Sequence, residues 1–233
     1  MTRFVRLTLP VSASYTPVMV WDVFEEKAHE YDSWFDRRFG AGAFALELKS
    51  IKNLLKKIPA DSLEIGVGTG RFARSLGIPL GIDPSSHVLR YAKKRGIQVA
   101  RAVAESLPFR ASSFSSVFMI VTVCFLDNPH QAFAEVNRVL QPGGMLVLGL
   151  ILRNSGWGDF YEHKKASGNV FYRHAYFWKK EELFEILIKT GFSVTDSTST
   201  LFDPPGSLMI INKKIQKGVH TNAGFHSIVA KKV

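Results

Sequence analysis

Cysteine is almost missing from this chain: Cys124 is the only one in 233 residues. A single thiol cannot close an intramolecular disulfide or build a cysteine-rich metal cluster, and a reducing cytoplasm is the expected compartment. Long apolar runs are missing too. The longest, Val117 to Val121 with its continuation and Met145 to Leu152, fall far short of the ~18 residues a membrane span needs. No signal peptide is expected, because Arg6 and Pro10 break any apolar h-region near the N-terminus. Acid is missing from the C-terminal end: nothing after Asp203 is Asp or Glu, while Lys213, Lys214, Lys217, Lys231 and Lys232 follow. There is no internal repeat, low-complexity tract or clean linker, so one domain over 1–233 is expected.

What is present is an ordinary globular composition, 46% apolar, with a net charge of +10. A second basic group is Arg90, Lys93, Lys94 and Arg95. Such charge attracts nucleic acid or another polyanion, or it is a solvated surface. The lysines are not interleaved with stacking aromatics as in single-strand binders, which favours the surface. No His, Cys, Asp and Glu cluster has metal-ligand spacing, so no metal is expected.

The pattern along the chain alternates strand and helix. Residues 1–16 read as an irregular arm, and Thr16-Pro17 as a helix start. A helix is expected from Val18 to about Arg38, interrupted by Gly40 and Gly42. A second follows from about Ala43 to Lys57, with Phe44, Leu48, Ile51, Leu54 and Leu55 as its apolar stripe. Strands are expected over 63–65, 79–83, 97–102, 115–123, 145–152, 192–201 and 225–231. Helices are expected after Gly70 and over 87–95, 129–140, 159–165 and 179–190, with Gly191 as a left-handed cap. This rhythm predicts a doubly wound, mostly parallel α/β sheet of seven strands, with helices on both faces and a helical lid at the N-terminus. The expected sections are 1–58 for arm and lid, 59–152 for the ligand-binding core, and 153–233 for an insertion and the last strands.

The chain is organised around Leu63-Glu64-Ile65-Gly66-Val67-Gly68-Thr69-Gly70. This is a buried strand, a tight glycine turn and a helix start. Glycine is needed where φ is positive or where backbone must approach a ligand. The spacing is G-x-G-x-G with an acid two residues ahead, not the G-x-G-x-x-G/A of a dinucleotide fold. By itself the turn would also suit a nucleotide-binding dehydrogenase.

Taken with Gly81-Ile82-Asp83-Pro84-Ser85, Ala104-Glu105-Ser106-Leu107-Pro108-Phe109, Ser113-Phe114, Leu140-Gln141-Pro142-Gly143-Gly144 and Glu182-Leu183 through Thr190-Gly191-Phe192, the stretch resembles the class I S-adenosylmethionine-dependent methyltransferases of the small UbiE-like (methyltransferase type 11) kind. The likeness covers about residues 20 to 231. It implies S-adenosylmethionine as methyl donor, with S-adenosylhomocysteine as product. It places Glu64 near the methionyl ammonium and Gly66, Val67, Gly68 and Gly70 in the turn around the methionine part. It places Asp83 on the ribose hydroxyls beside Pro84, Ala104 and Glu105 at the adenine edge, and Val121 and Thr122 on the sulfonium side. Tyr31-Asp32-Ser33-Trp34-Phe35 resembles the lid folded over the cofactor, with Tyr31 touching it.

Asp83 would equally serve as a helix cap and Glu105 as a loop acid. The family has no fixed catalytic residue. His174 and Tyr172 are the candidates here, and Trp34, Phe35, Tyr172 and His174 the expected acceptor pocket. Cys124 reads as a small hydrophobe rather than a nucleophile. Asp203-Pro204-Pro205 resembles an acid-Pro-Pro methyltransferase motif but stands near the C-terminus, so it reads as a turn. Ser115 stands after Phe114 where the family usually has Asp. The expected activity is methyl transfer to O, N or C of a small molecule. The alternatives are an RNA or protein methyltransferase using the basic C-terminal surface, and a non-catalytic S-adenosylmethionine-binding protein.

Overall fold

The computed structural model describes residues 21–233; the expected arm and the Thr16-Pro17 helix start lie outside the described residues. The first helices are α1 (Asp22–Glu26), α2 (Ala28–Trp34) and α3 (Arg38–Leu54). The expected single helix is therefore broken before α3, and Gly40 and Gly42 sit inside α3 rather than interrupting the chain. The cause is a close crossing: a Cβ on Gly40 would lie 2.0 Å from the Trp34 carbonyl oxygen. The buried face of α3 is also turned from the expected stripe. It consists of Gly40, Ala43, Leu46, Glu47, Ser50 and Ile51, while Phe44, Leu48 and Leu54 pack at the margin.

The strands are β1 (Ser62–Ile65), β2 (Leu80–Asp83), β3 (Gln98–Arg101), β4 (Phe114–Ile120), β5 (Leu140–Leu150), β6 (Phe192–Thr200), β7 (Gln216–Lys217) and β8 (Phe225–Lys232). They form one sheet in the order β3-β2-β1-β4-β5-β8-β6-β7. The first five are parallel; β8 runs antiparallel to both β5 and β6. The eighth strand beyond the expected seven is the two-residue β7, which edges β6. Strand order reverses between β1 and β4, and open α/β sheets bind ligands at the carboxyl ends of the strands beside such a switch.

The remaining helices are α4 (Arg71–Leu76), α5 (Ser86–Lys94), α6 (Pro129–Val139), α7 (Gly156–Ala166) and α8 (Lys180–Lys189). Alternate residues of each central strand serve opposite faces. Val117 and Met119 meet Phe133 and Val136 of α6 and Leu183 and Leu187 of α8. Phe118 and Ile120 meet Leu46 and Ile51 of α3, Ala73 of α4 and Ala92 of α5. Both faces are covered, as a parallel sheet requires. A third cluster joins Trp157 and Tyr161 of α7 to Ala175 and Phe177.

Two strand ends differ from expectation. β5 starts at Leu140, which pairs with Phe114, and the Gln141–Gly144 segment bulges before Met145 rejoins at Ser116. β4 stops at Ile120 because Val121 has φ +54 and turns the chain into a short 3-10 turn, Val123–Phe125. The role expected of an acid after Phe114 is filled from the other side: Ser115 donates its N–H and hydroxyl to Asp61 Oδ2, at 3.2 and 2.6 Å. Asp203 is a turn residue, as expected, accepting the N–H groups of Ile211 and Asn212.

Candidate active site

The glycine turn joins β1 to α4. Gly66, Gly68 and Gly70 have φ of +69, +51 and +80, where a side chain is strained. Their jobs differ. A Cβ on Gly66 would lie 2.4 Å from both Cγ2 and Oγ1 of Thr122. A Cβ on Gly70 would strike Ala92 of α5 at 2.8 Å, so this glycine serves helix packing. Gly68 faces the lid: a Cβ there would be 3.7 Å from Tyr31. The Val67 N–H donates to the Ile82 carbonyl at 2.9 Å, tying the turn to β2.

Asp83 ends β2 with its carboxylate under this turn. Gly68 N–H donates to Oδ2 at 3.0 Å, and Ser85 N–H to Oδ1 at 2.9 Å. The helix-cap role falls to Ser85, whose hydroxyl accepts from Val88 N–H. Each carboxylate oxygen of Asp83 keeps a free lone pair. Burial pushes its pKa up to about 6 against those two hydrogen bonds. Glu64 is 2% exposed. Burial raises its pKa well above the ordinary value, the Ala73 N–H offsets part of this, and Oε2 has no partner among the described residues.

The turn opens on a cavity of about 330 Å³. Its floor includes Gly66, Gly68, Asp83, Pro84, Ala104 and Glu105, with Val121 and Thr122 at the end of β4. Glu64, Val67 and Gly70 stand behind that floor rather than on it. Glu105 is partly committed elsewhere: its Oε1 accepts the N–H groups of Asp127 and Asn128 at 3.0 and 3.1 Å. Val121 is a β-branched residue held in the left-handed region, a strained conformation of the kind found at ligand sites. Its N–H donates to the Gly149 carbonyl at 2.7 Å.

The lid is latched over this end. Asp32 of α2 accepts Nε and Nη2 of Arg71, both at 2.9 Å, and Nη2 of Arg95 at 2.8 Å. Burial alone would raise the Asp32 pKa, but the two guanidiniums bring it down to about 2. Glu25 of α1 accepts the N–H groups of Ser86 and His87 at the start of α5, each at 2.8 Å. Tyr31, held this way, packs edge-on against Phe24 and Phe35, with ring centroids 5.3 and 5.6 Å apart. Its hydroxyl is pushed well up, first by burial and then by Tyr172, Asp83, Glu47 and Glu64. Tyr31 lines the same cavity as Asp83 and Glu47.

The far end is lined by Trp34 and Phe35 of the lid, Glu47 of α3, Tyr161 and Lys164 of α7, and Tyr172. Tyr172 is where the acceptor pocket was expected. His174 is not: it is exposed and off the cavity wall, because the buried residues of its segment are Ala175, Phe177 and Trp178. It is no candidate for chemistry at this site. Burial drives the Cys124 thiol up to about 12, as befits a packing residue. Glu47, Tyr161 and Lys164 are absent from the sequence-derived site. The one available signal for Glu47 is two polar residues, Glu47 and Ser50, among the buried positions of an amphipathic helix. Ser50 is explained by hydrogen bonds of 2.9 Å to Thr198 and Ser227; Glu47 has no such partner among the described residues.

The residues fit S-adenosylmethionine. The orphaned Glu64 oxygen suits a cationic methionyl end, the bare glycine turn admits backbone contact, and Asp83 can accept two ribose hydroxyls. Among the described residues no group of three or more His, Cys, Asp or Glu could hold a metal ion, and no helix is long and apolar enough to cross a membrane.

The methyltransferase-domain family matches residues 63–148. An uncharacterized protein of Mycobacterium tuberculosis is 39% identical over 203 residues, 87% of this chain and 71% of the relative. One from Methanocaldococcus jannaschii is 38% identical over 213 residues, 91% of this chain and all of the relative. A crystal structure from Thermotoga maritima, described as an S-adenosylmethionine-dependent methyltransferase and possible histamine N-methyltransferase, superposes with a TM-score of 0.84 at 37% identity. The match covers 92% of this chain and 100% of that one. With the glycine turn and the free lone pairs of Asp83 on one cavity and the orphaned Glu64 oxygen behind its floor, the chain belongs to the class I S-adenosylmethionine-dependent methyltransferases.

Proposed function

We propose that this enzyme methylates a small molecule, at O, N or C, by in-line displacement. The observation that carries this reading is the cavity itself. It runs from Asp83 past Tyr31 to Glu47, and α2, α7 and the Asn169–Tyr172 segment wall it in. Its volume lies at the small-molecule end of binding sites, ~300–1,000 Å³. The description of the Thermotoga neighbour names a small amine, which points the same way.

S-adenosylmethionine, when bound, supplies a methyl group on a sulfonium with an excellent leaving group. The protein's work is then to bind, orient and keep water out. Asp83 would grip the ribose and Glu64 would balance the methionyl charge. Val121 and Thr122 would wall the sulfonium side; the Thr122 hydroxyl donates to carbonyls of Ile65 or Ile120, at 3.2 and 3.1 Å, and so presents its methyl group elsewhere. The latched lid would bring Tyr31 onto the cavity wall beside both donor and acceptor. No histidine is among the described residues lining the cavity; Glu47 is the carboxyl on the acceptor side that could serve as a base.

Against a macromolecular acceptor stands the spread of basic charge. By register, Lys231 pairs with Met145 at the amino end of β5, away from the cofactor edge, and Lys232 donates to the Asn137 and Leu140 carbonyls. Arg95 is a lid latch, not free charge. Methyl-labelled S-adenosylmethionine incubated with a metabolite extract, with RNA and with protein decides the matter. Label is expected in the metabolite fraction; label confined to RNA or protein overturns the small-molecule reading.

A further inference from the structure

Several acids around the cavity have partners. Asp32 holds two arginines, Asp83 two backbone N–H groups, and Glu25 the start of α5. Glu47, a buried acid on the cavity wall, is different. It is 8% exposed, lines the far end of the cavity, and makes no hydrogen bond or ion pair among the described residues. Burial alone moves its pKa, up to about 8, with no cation to offset it. The Tyr161 and Tyr172 rings share the cavity wall with it, their centroids 4.6 Å apart. The Lys164 ammonium sits over the rings of Phe160 and Tyr161, with centroids at 4.6 and 5.6 Å. A carboxyl buried without a partner costs several kcal/mol or stays neutral, and either state is relieved by a ligand that brings the missing charge.

We propose that Glu47 is the anchor for the methyl acceptor, and that the acceptor is a small organic cation, an amine on an apolar body. The proposal rests on the small-molecule reading above. The ammonium pairs with Glu47. Trp34, Tyr161 and Tyr172 supply π faces and apolar walls around it, a setting that favours cations over neutral isosteres. Glu47, Tyr31 and Asp83 all line this one cavity, which puts the anchor in the same space as the donor. A cation held there is oriented by its charge, with its remainder directed toward Val121 and Thr122.

The test uses the full chain saturated with S-adenosylhomocysteine, titrated by calorimetry with phenethylamine, its neutral counterpart 2-phenylethanol and its anionic counterpart phenylacetate. The amine is expected to bind at least tenfold more tightly than the alcohol, and phenylacetate not at all. Glu47→Gln, nearly isosteric, is expected to remove that preference while leaving S-adenosylhomocysteine and 2-phenylethanol binding unchanged. Glu47→Asp is expected to retain part of the preference, and the thermal melt of each variant reports folding. Equal affinity for amine and alcohol, no amine binding at millimolar concentration, or a preference that survives in Glu47→Gln overturns the proposal. Incorporation of label into RNA or protein alone overturns the small-molecule reading instead, and loss of S-adenosylhomocysteine binding the cofactor assignment beneath both.

Discussion

The two ends of the cavity are built from different materials. At the donor end the wall is largely backbone: a glycine turn, the ends of β2 and β4, and N–H groups that aim the Asp83 carboxylate. At the acceptor end it is side chain: Trp34, Glu47, Tyr161 and Tyr172, from two stretches of chain more than a hundred residues apart. The first tolerates no added atoms. The second can change its chemistry by single substitutions while the sheet beneath stays as it is. A shared donor and a variable acceptor suit that division.

Substitutions break the comparison to different degrees. Gly66→Val should do most, because it places a β-branched residue at φ +69 and atoms 2.4 Å from Thr122. Strain and overlap together should weaken cofactor binding by roughly a thousandfold, measured by calorimetry with circular dichroism as a folding control. Near-normal affinity would mean the turn can relax and the donor end is softer than drawn. Gly40→Ala acts on the acceptor end by forcing α3 away from the Trp34 carbonyl. It should cost about 3 kcal/mol of stability in chemical denaturation and loosen the acceptor site, with cofactor affinity the less affected of the two.

The Asp83 carboxyl sharpens the donor end through pH. Its pKa in the folded, ligand-free protein is raised to about 6. The stability it contributes is therefore fully present below its unfolded value near 3.8 and lost as pH rises through about 6. The ionised form that can accept both ribose hydroxyls is lost as pH falls through the same value, so S-adenosylmethionine should bind about tenfold more weakly at pH 5 than at pH 7. A flat profile in calorimetry would remove Asp83 from the ribose site. The smallest effect belongs to the latch. Arg71→Ala frees Asp32 and Asp36 from one guanidinium but leaves Arg95 on Asp32. Cofactor release should quicken about fivefold in stopped flow, on the scale of one partly buried ion pair; an unchanged rate would mean that the lid does not gate the donor end.

The donor end was legible because its signals are local. Glu64, the three glycines and Asp83 fall within twenty residues, and each glycine answers to a backbone constraint that sequence spacing displays. The acceptor end was legible only in part. Trp34, Phe35 and Tyr172 drew notice as aromatics near a lid. His174 drew notice for its chemistry but faces solvent, because the segment buries Ala175 and Phe177 instead. Glu47 was hidden inside a helix whose apolar stripe was read one notch off its true buried face. Of the glycines that look like helix breakers, Gly40 is what lets α3 approach the end of α2, while Gly42 faces Ile210.

By itself the sequence determined the alternating α/β order and the glycine turn; the methyl donor was implied by the resemblance those stretches carry. Strand periodicity, positive-φ glycines and capping residues act over a few neighbours and leave their mark in short stretches. Only the tertiary structure decided that a carboxylate from α3, a tyrosine from α7 and another from the following loop would share one cavity. Which buried polar group lacks a partner depends on every element packed around it, and no spacing along the chain records that sum.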